Sequence, residues 1–406
     1  MSHLNPASMS EEERKDSPQD NTADFKRAVS ACKFVKRNTP RPSDRAVAPP
    51  QGLGRSRLAS SDGAPETQGG MTGATDMVGV DDHHLNNTVL YHSEGSADLA
   101  LEIAKLSYIK VGGIVRSRFH NGERYYRVDI PERNSLVGRH VIYVGATDTD
   151  EALLEMFRLG CTFAELGATA RTFVIPYLGY STMERDVLPG EVVTAKTVLT
   201  MLSAIPSPGA GNMFLFLDLH AAGIRRFMSP NCVTQEAYCD QLLVKAAIEL
   251  FGFDPAESVI ASADLGRTTW VNSFSRRFGT GIAFIRKERS KDKTQVCEVI
   301  GNVKGRKVVI YDDMVRTGKT LVQAADAYLA SGATAVYALI SHCAIPTREA
   351  LDSVLNSSIK HIITTNSHPS TSDPAILDSD KITVLSVAPV FAKILLNGIL
   401  AQQRSL

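Results

Sequence analysis

From about residue 86 onward, the chain alternates between two kinds of hydrophobic pattern. Short apolar runs such as Met213–Leu219 and Lys307–Asp313 predict buried strands. Between them, segments such as Glu151–Leu159 and Leu321–Ala330 carry apolar residues at three-and-four spacing, which predicts amphipathic helices. Strand, helix and strand in this order indicate βαβ units. We therefore predict an α/β fold with mainly parallel sheets flanked by helices.

The length of this patterned part predicts more than one domain. About 300 residues of alternating strand and helix exceed what one sheet of usual size uses. We predict two similar α/β domains in tandem, residues 86–235 and 236–387. A final helix, residues 388–406, has an apolar face and is expected to pack back on the first domain.

Residues 1–85 have a different composition. Phe25 and Phe34 are the aromatic residues of this segment, and Pro, Gly and Ser interrupt it throughout. Such a segment buries too little apolar surface to offset its ordering entropy, so we predict a disordered N-terminal extension. The acidic run at residues 11–13 does not resemble a transit peptide, and a signal-peptide core is missing. We predict a cytoplasmic protein, with organelle targeting by the extension as the alternative.

Composition excludes several classes of protein. Cationic and anionic residues number 44 each, which gives a formal net charge of zero and no overall attraction to nucleic acid or anionic membranes. The apolar runs fall far short of the ~18 residues of a membrane span. The six Cys are scattered without a C-x-x-C pair, which argues against a disulfide scaffold and fits a reducing compartment.

The segment 307–321 carries the clearest candidate chemistry. A buried strand ends at Asp312 and Asp313, and a short loop leads into a helix. This loop contains Arg316, Thr317, Gly318 and Thr320. Ligands of open α/β sheets bind outside the carboxyl ends of strands, and a helix N-terminus suits phosphate. The alternative is a strand-to-helix turn with capping side chains. A Walker A loop is excluded, because Asp313 occupies the position of its first Gly.

His220 is a second candidate, at the end of another strand. Asp218 precedes it by two residues, and Asp264 follows a further strand. Oxygen and nitrogen ligands at neighbouring strand ends would suit a shared metal site. The alternative is a structural histidine.

Two further segments are candidate binding elements. Lys287 and Arg289 alternate just after a strand, in a polar stretch that we expect to be a mobile loop able to close over phosphates. A solvated edge strand is the alternative. Phe119, Asn121 and Glu123 combine an aromatic ring with groups able to bind adenine. Here the alternative is a hairpin turn around residues 121–122, because Asn-Gly is a strong turn signal.

Taken together, these segments resemble the ribose-phosphate pyrophosphokinase family, also called phosphoribosyl pyrophosphate (PRPP) synthetases. The acidic loop resembles the PRPP loop, which type I phosphoribosyltransferases share. Residues 218–221 resemble the family's Asp-Leu-His-Ala, 263–266 its Pro-Asp-Ala-Gly, 287–289 its Lys-x-Arg flap, and 119–123 its Phe-x-Asn-x-Glu adenine segment. These motifs occur in family order across residues 110–390.

The resemblance implies two phosphoribosyltransferase-type domains and a set of roles. Lys287 and Arg289 would be the main catalytic pair, and His220 and Asp264 would contact the Mg²⁺ of Mg-ATP. The nucleotide would be bound by Phe119, Asn121 and Glu123, and ribose 5-phosphate by Asp312, Asp313, Arg316, Thr317, Gly318 and Thr320. In this family the adenine segment reaches the nucleotide of a neighbouring subunit, which implies a homo-oligomer. Nucleic acid and membrane are not expected as partners.

The chain departs from the family pattern at several positions. Thr182 and Met183 stand where the best-known members carry Arg-Gln, which leaves the choice of nucleotide donor open. Arg316 stands where an Asp is usual, and an expected basic pair falls near Thr269 and Trp270. These differences resemble a divergent subgroup.

Three functions are compatible with this pattern. The first is the synthetase reaction, in which ribose 5-phosphate and ATP give PRPP and AMP. The second is a non-catalytic regulatory subunit of a synthetase. The third is a PRPP-consuming phosphoribosyltransferase, against which the two domains and the adenine segment argue.

Overall fold

The computed structural model describes residues 85–208, 211–264, 268–289 and 294–403. These residues form two parallel sheets flanked by helices, which confirms the predicted α/β class. Apart from Leu85, the predicted disordered extension lies outside the described residues, as do residues 404–406 of the predicted final helix. Among the described helices, each is either too short or too polar to cross a membrane.

The elements follow each other in the order expected of βαβ units. The strands are β1 Thr88–His92, β2 Lys110–Val111, β3 Gly113–Arg118, β4 Arg124–Asp129, β5 His140–Val144, β6 Ala170–Ile175, β7 Asn212–Leu217, β8 Cys232–Ala237, β9 Ser258–Ala261, β10 Gly281–Arg289, β11 Thr294–Ile300, β12 Lys307–Val315, β13 Ala335–Cys343, β14 His361–Thr365 and β15 Ile382–Leu385. The helices are α1 Ala97–Ser107, α2 Asp150–Glu165, α3 Thr194–Ser203, α4 Asp240–Phe251, α5 Thr268–Phe278, α6 Lys319–Ala330, α7 Arg348–Leu355, α8 Pro374–Leu377 and α9 Ala388–Gln403.

Both sheets have the same topology. The first sheet has the spatial order β2-β1-β5-β6-β7-β8, and the second has β11-β10-β9-β12-β13-β14-β15. Numbering the parallel strands of each sheet in chain order gives 2-1-3-4-5-6 in both cases. In each sheet, therefore, the first and third strands are neighbours whose connections leave in opposite directions. Such a topological switch point is where α/β sheets bind ligands.

The two acidic segments that the sequence places at strand ends occupy different positions in the two sheets. In a simple internal repeat, Asp218-Leu219-His220 and Asp312-Asp313 would follow equivalent strands. In fact β7, which precedes Asp218, is the fifth strand of its sheet, whereas β12 is the third strand of the other. The repeat lies in the strand order, and the two acidic segments occupy different places in it.

Antiparallel pairing occurs at two hairpins. β3 pairs with β4, outside both large sheets, and β11 pairs with β10 at an edge of the second sheet. All the other pairs among the described strands are parallel. Parallel strands buried on both faces explain the continuous apolar runs seen in the sequence.

The last helix returns to the first half of the chain. Phe391 and Leu395 of α9 are buried in the same cluster as Leu99 and Ile103 of α1. The Ser386 hydroxyl, just before α9, donates a hydrogen bond to the Glu102 carboxylate. Helix α9 thus covers part of the core below the first sheet.

Candidate functional site

The carboxyl ends of the two sheets face each other. Ala146, which follows β5, and Tyr177, which follows β6, pack in one buried cluster with Ala344, which follows β13. Because parallel strands end at one edge, this contact brings the loops of both edges together. A cavity of about 770 Å³ opens between them.

Most of the residues predicted for the acidic and metal sites line this cavity. They are His220, Asp264, Asp312, Asp313, Arg316, Thr317, Gly318 and Thr320. Side chains from the loop after β6 also line it, namely Thr182, Glu184 and Arg185. In the second sheet, Asp264 follows β9 and Asp312 lies on β12, so the cavity stands at the switch point of that sheet.

The acidic loop does not cap the helix that follows it. The N-cap residue of α6 is Gly318, so no Asp or Thr side chain occupies the N-cap position. The N-cap residue therefore provides no side-chain acceptor to the first turn of the helix. Its φ of 72° lies in the left-handed region, and a Cβ there would come within 2.2 Å of the Val354 side chain. Glycine is therefore required at this position. The backbone can then turn beneath the cavity and present the N-terminus of α6, which suits an anion.

Asp313 joins the loop to the other half of the protein. Its carboxylate Oδ2 lies 2.8 Å from the Nδ1 of His220, and its side chain is only 10% exposed. The neighbouring Asp312 uses Oδ1 to accept the Asp313 backbone N–H at 3.0 Å. His220 thus reaches across the cavity to a carboxylate of the second sheet.

The backbone before His220 is held in an unusual conformation. Asp218 has a φ of 39°, a left-handed value that is uncommon outside glycine. Its buried carboxylate Oδ2 accepts hydrogen bonds from the Ser341 hydroxyl at 2.7 Å and the Cys239 thiol at 2.8 Å. His342 Nε2 lies 3.2 Å from the Asp218 carbonyl oxygen and donates to it. These hydrogen bonds stabilise the unfavourable backbone conformation of the turn that carries His220.

Burial dominates the electrostatics of this network. It raises the pKa of the Asp218 carboxyl, against the lowering effect of the Cys239 thiol. Burial also raises the pKa of the Cys239 thiol well above its ordinary value, which makes the thiol unreactive. Both groups therefore serve as fixed hydrogen-bonding partners between the two halves.

The cavity offers ligands that fit magnesium. Mg²⁺ prefers oxygen, keeps several waters, and is held by one or two carboxylates plus substrate phosphates. Asp264, Asp312 and Asp313 supply carboxylates around the cavity. Over the part of the chain that the structure describes, no three His, Cys, Asp or Glu side chains converge into a complete metal cage. The residues therefore fit a magnesium ion that arrives with phosphate rather than a resident structural metal.

The basic segment differs from the sequence expectation. We expected a loop to begin at Lys287, but β10 continues to Arg289 and pairs with β11. The backbones of Lys287 and Arg289 face Val296 and Thr294 across this antiparallel pair. The polar stretch is extended because β11 supplies the partner that the sequence pattern did not reveal. Residues 290–293 lie outside the described residues.

The predicted adenine segment stands apart from the cavity. Phe119, Asn121 and Glu123 form the turn between β3 and β4, with Gly122 at a φ of 91°. The Phe119 ring is 56% exposed and packs edge-on against Tyr125, with ring centroids 6.0 Å apart. Within the described chain, therefore, the hairpin turn proposed as the alternative does form, and it presents an exposed aromatic ring.

Sequence reasoning missed the buried network behind His220. Ser341 and His342 sit inside the apolar strand β13, and Ser367 follows β14. The Ser367 hydroxyl oxygen lies 2.7 Å from His342 Nδ1, and His342 Nε2 donates to the Asp218 carbonyl oxygen, which can only accept. The available signal was a Ser-His pair that interrupts an apolar strand, but nothing in the sequence tells which distant residues pair with it.

This geometry defines an α/β protein with a cavity lined by acidic and basic side chains between two sheets, and comparison with known proteins gives its family. Residues 88–205 match the model of the N-terminal domain of ribose phosphate pyrophosphokinase, and residues 285–397 match the phosphoribosyl synthetase-associated domain.

Relatives of known name agree with these matches. The ribose-phosphate pyrophosphokinase of Clostridium tetani is 31% identical over 77% of this chain and 94% of that protein. The ribose-phosphate pyrophosphokinase 1 of Streptococcus pyogenes is 30% identical over 76% of this chain and 93% of that protein. The chain therefore belongs to the ribose-phosphate pyrophosphokinase family.

A solved structure shares the fold. The phosphoribosylpyrophosphate synthetase from Mycobacterium smegmatis aligns with a TM-score of 0.68 and 25% sequence identity. The alignment covers 79% of this chain and all of that one. The predicted family and fold are thus confirmed.

Proposed function

We propose that this protein is a ribose-phosphate diphosphokinase, which transfers the diphosphoryl group of Mg-ATP to the C1 hydroxyl of ribose 5-phosphate. The products are PRPP and AMP, for nucleotide biosynthesis. The observation that carries this proposal is the cavity at the switch point, where three carboxylates stand beside the N-terminus of α6. Family membership supports the same reaction.

The cavity divides naturally between the two substrates. The loop from Arg316 to Thr320 and the N-terminus of α6 suit the 5-phosphate, because backbone N–H groups and the helix dipole favour an anion there. Asp312 and Asp313 would bind the ribose hydroxyls. Magnesium, when bound near Asp264 and His220, supplies charge neutralisation at the phosphate oxygens.

In the proposed step, the C1 hydroxyl oxygen of ribose 5-phosphate attacks the β-phosphorus. The hydroxyl proton is released, the bond from the β-phosphorus to the α–β bridging oxygen breaks, and AMP leaves with that oxygen. Such transfers depend mainly on positioning and on stabilisation of negative charge. The residues proposed to stabilise the transferring group are Lys287 and Arg289, on β10.

The nucleotide site is proposed to need a second copy of the chain. The exposed Phe119 ring, with Asn121 and Glu123, would bind the adenine of a neighbouring subunit. This makes the protein a homo-oligomer. A cytoplasmic location fits the neutral composition and the scattered cysteines.

A coupled assay tests the proposal. Purified protein is mixed with ribose 5-phosphate, Mg²⁺ and ATP, and AMP and PRPP are measured together. We expect one AMP per PRPP, and a large loss of both in the double variant Lys287→Ala/Arg289→Ala. The double variant Lys304→Ala/Lys360→Ala, at exposed positions before the amino ends of β12 and β14, is the matched control and should keep full activity.

The opposite result points to the second function. If wild-type protein binds Mg-ATP or ribose 5-phosphate but gives no AMP with ATP or other nucleoside triphosphates, it would be a regulatory subunit. The departures at Thr182, Met183 and Arg316 would then be examined first. Turnover that consumes PRPP with a free base would instead indicate a phosphoribosyltransferase.

A further inference from the structure

A buried carboxylate behind the cavity holds the turn that carries His220. Glu236 lies on β8, and its side chain is 2% exposed. Its Oε1 accepts a hydrogen bond from the Leu219 backbone N–H at 3.0 Å. Its Oε2 lies 3.3 Å from the Nε of Arg225, in the short 3₁₀ helix Ile224–Phe227. One side chain therefore contacts both ends of the turn.

The Leu219 N–H needs this side chain because the sheet ladder ends just before it. The Asp218 N–H donates to the Ala237 carbonyl at 3.0 Å, as the last rung of the pairing between β7 and β8. The left-handed φ of Asp218 then turns the chain away from the sheet. The next N–H points beyond the ladder, and Glu236 supplies the acceptor that a strand would otherwise provide.

Burying a carboxylate is costly unless its partners compensate. Burial raises the pKa of Glu236, whereas the Leu219 N–H and the Arg225 guanidinium lower it. The Tyr238 hydroxyl also lowers the pKa of this carboxyl. The carboxylate thus accepts a backbone hydrogen bond at Oε1, whereas its contact with Arg225 at Oε2 is an ion pair by distance rather than a hydrogen bond.

Tyr238 extends the contact to the second half of the chain. Its ring centroid lies 5.8 Å from that of Trp270, on helix α5. Helix α5 follows the segment that contains Asp264 in the chain, so the ring pair connects the end of β8 to a helix of the second half. Trp270 is the single tryptophan of the chain, and its fluorescence can report on this junction.

We propose that Glu236 is a positioning residue, which directs the His220 imidazole toward Asp313 and the cavity by fixing the Leu219 N–H and Arg225. The proposal rests on the proposed function. It assigns to Glu236 no contact with substrate: its effect passes through the backbone of the turn.

The test compares two substitutions at one position. Glu236→Gln keeps an oxygen that accepts the Leu219 N–H, whereas Glu236→Leu removes it at similar volume. Glu249→Leu is the matched control, because Glu249 is an exposed residue of α4. For each protein, kcat, the KM for ribose 5-phosphate and the change in Trp270 fluorescence on adding Mg-ATP are measured.

We expect Glu236→Leu to lower kcat by about 30-fold with the KM for ribose 5-phosphate nearly unchanged, because the loss falls on the orientation of His220. Glu236→Gln should recover kcat to within about threefold of wild type. The Mg-ATP-dependent change in Trp270 fluorescence should be kept in Glu236→Gln and lost in Glu236→Leu. Glu249→Leu should behave as wild type.

Two outcomes would overturn the proposal while leaving the synthetase function intact. One is a wild-type kcat in Glu236→Leu, and the other is an equal loss in Gln and Leu variants. If Glu236→Leu does not fold, Arg225→Met decides, with an expected fall in kcat of about fivefold and no change as the contrary result. Absence of turnover in the wild-type protein counts against the proposed function itself. In that case, the Trp270 fluorescence change of Glu236→Gln and Glu236→Leu on adding Mg-ATP still tests the positioning role of Glu236.

Discussion

The two sheets share one strand order but use their switch points differently. In the second sheet, the ends of β9 and β12 border the open cavity. In the first sheet, the corresponding ends of β1 and β5 are closed. The Ser96 hydroxyl accepts the Ala146 N–H at 3.1 Å, and Arg116 donates to the His92 carbonyl.

A buried ion pair completes the closed end. Glu155 Oε1 accepts hydrogen bonds from Arg116 Nη2 at 2.8 Å and from the Tyr143 hydroxyl at 2.9 Å. The Arg116 and Glu155 side chains are 12% and 10% exposed. The same strand order thus supports a candidate ligand site in one sheet and a packed, hydrogen-bonded strand end in the other. Function lies in the residues at the strand ends rather than in the fold.

The largest expected effect is at the open end. Asp313→Asn weakens the pairing with His220 and removes a carboxylate from the cavity, so kcat should fall by about 10³-fold, as when a key electrostatic group is removed from an active site. Steady-state assay of AMP formation measures this. Asp326→Asn, at an exposed position of α6, is the control. Activity within a few-fold of wild type would contradict the assignment of the open switch point as the site.

At the closed strand ends of the first sheet, a substitution should lower the free energy of unfolding rather than kcat. Arg116→Ala leaves Glu155 buried without its cation, and breaking a buried pair in this way costs about 3 kcal/mol. Urea unfolding measures the loss, and Arg127→Ala, at an exposed pair with Asp129, is the control. A loss as small as that of Arg127→Ala would show that the closed end is not held by this pair.

The two sheets also differ in their response to acid. Each has a histidine at the start of a strand that bonds a threonine on the next strand: His140 with Thr172 at 2.9 Å, and His361 with Thr383 at 2.8 Å. Burial lowers the pKa of His140 to about 4, and it also lowers the pKa of the less buried His361. Both histidines therefore fold in the neutral form.

The sign of the effect follows from proton binding. Between about pH 6.5 and about pH 4 the unfolded chain protonates at His140 and the folded chain does not, so stability falls as pH decreases through this window. His140→Gln should remove about 3 kcal/mol of this acid sensitivity, and His361→Gln should remove less. Urea unfolding at a series of pH values measures both. If His361→Gln removed more acid sensitivity than His140→Gln, then His361 rather than His140 would be the more buried histidine.

The smallest expected effect is at Arg316 of the open end. Its guanidinium lies near enough to Tyr177 to oppose the rise in the pKa of that phenol that burial causes. If this cation also contributes to binding the 5-phosphate, Arg316→Asp should raise the KM for ribose 5-phosphate by about tenfold with kcat nearly unchanged. Arg348→Asp is the control. An unchanged KM would show that the cation faces away from the phosphate.

The sequence predicted the α/β class and the strand ends well, because buried parallel strands leave continuous apolar runs that end in polar residues. It could not reveal which strands are equivalent in the two sheets. The equivalence of strands depends on the crossover connections. In the structure, Asp218 follows β7 and Asp312 lies on β12, and these two strands are not equivalent. The extension of β10 to Arg289 was missed for a related reason, since a run of polar residues in sequence predicts a loop more readily than a strand.

The candidate site was predicted residue by residue only where its side chains lie on the apolar strands or just after them. Asp312, on β12, and Asp264 and His220, after β9 and β7, belong to this group. Glu236, Ser341 and His342 act through contacts between segments far apart in sequence, and such pairing leaves no local pattern. The hairpin residue Phe119 was singled out by its motif, yet its proposed partner belongs to another subunit.

The return of α9 to α1 has a mechanical consequence. The chain crosses between the two halves twice, once between Ala237 and Asp240 and once between Leu385 and Ala388. The second half is thus an insertion whose two ends are both anchored in the first, and any opening of the cavity must bend both crossings together. Among rotations of one half against the other, a rotation about the line that joins these two short segments would strain both crossings least.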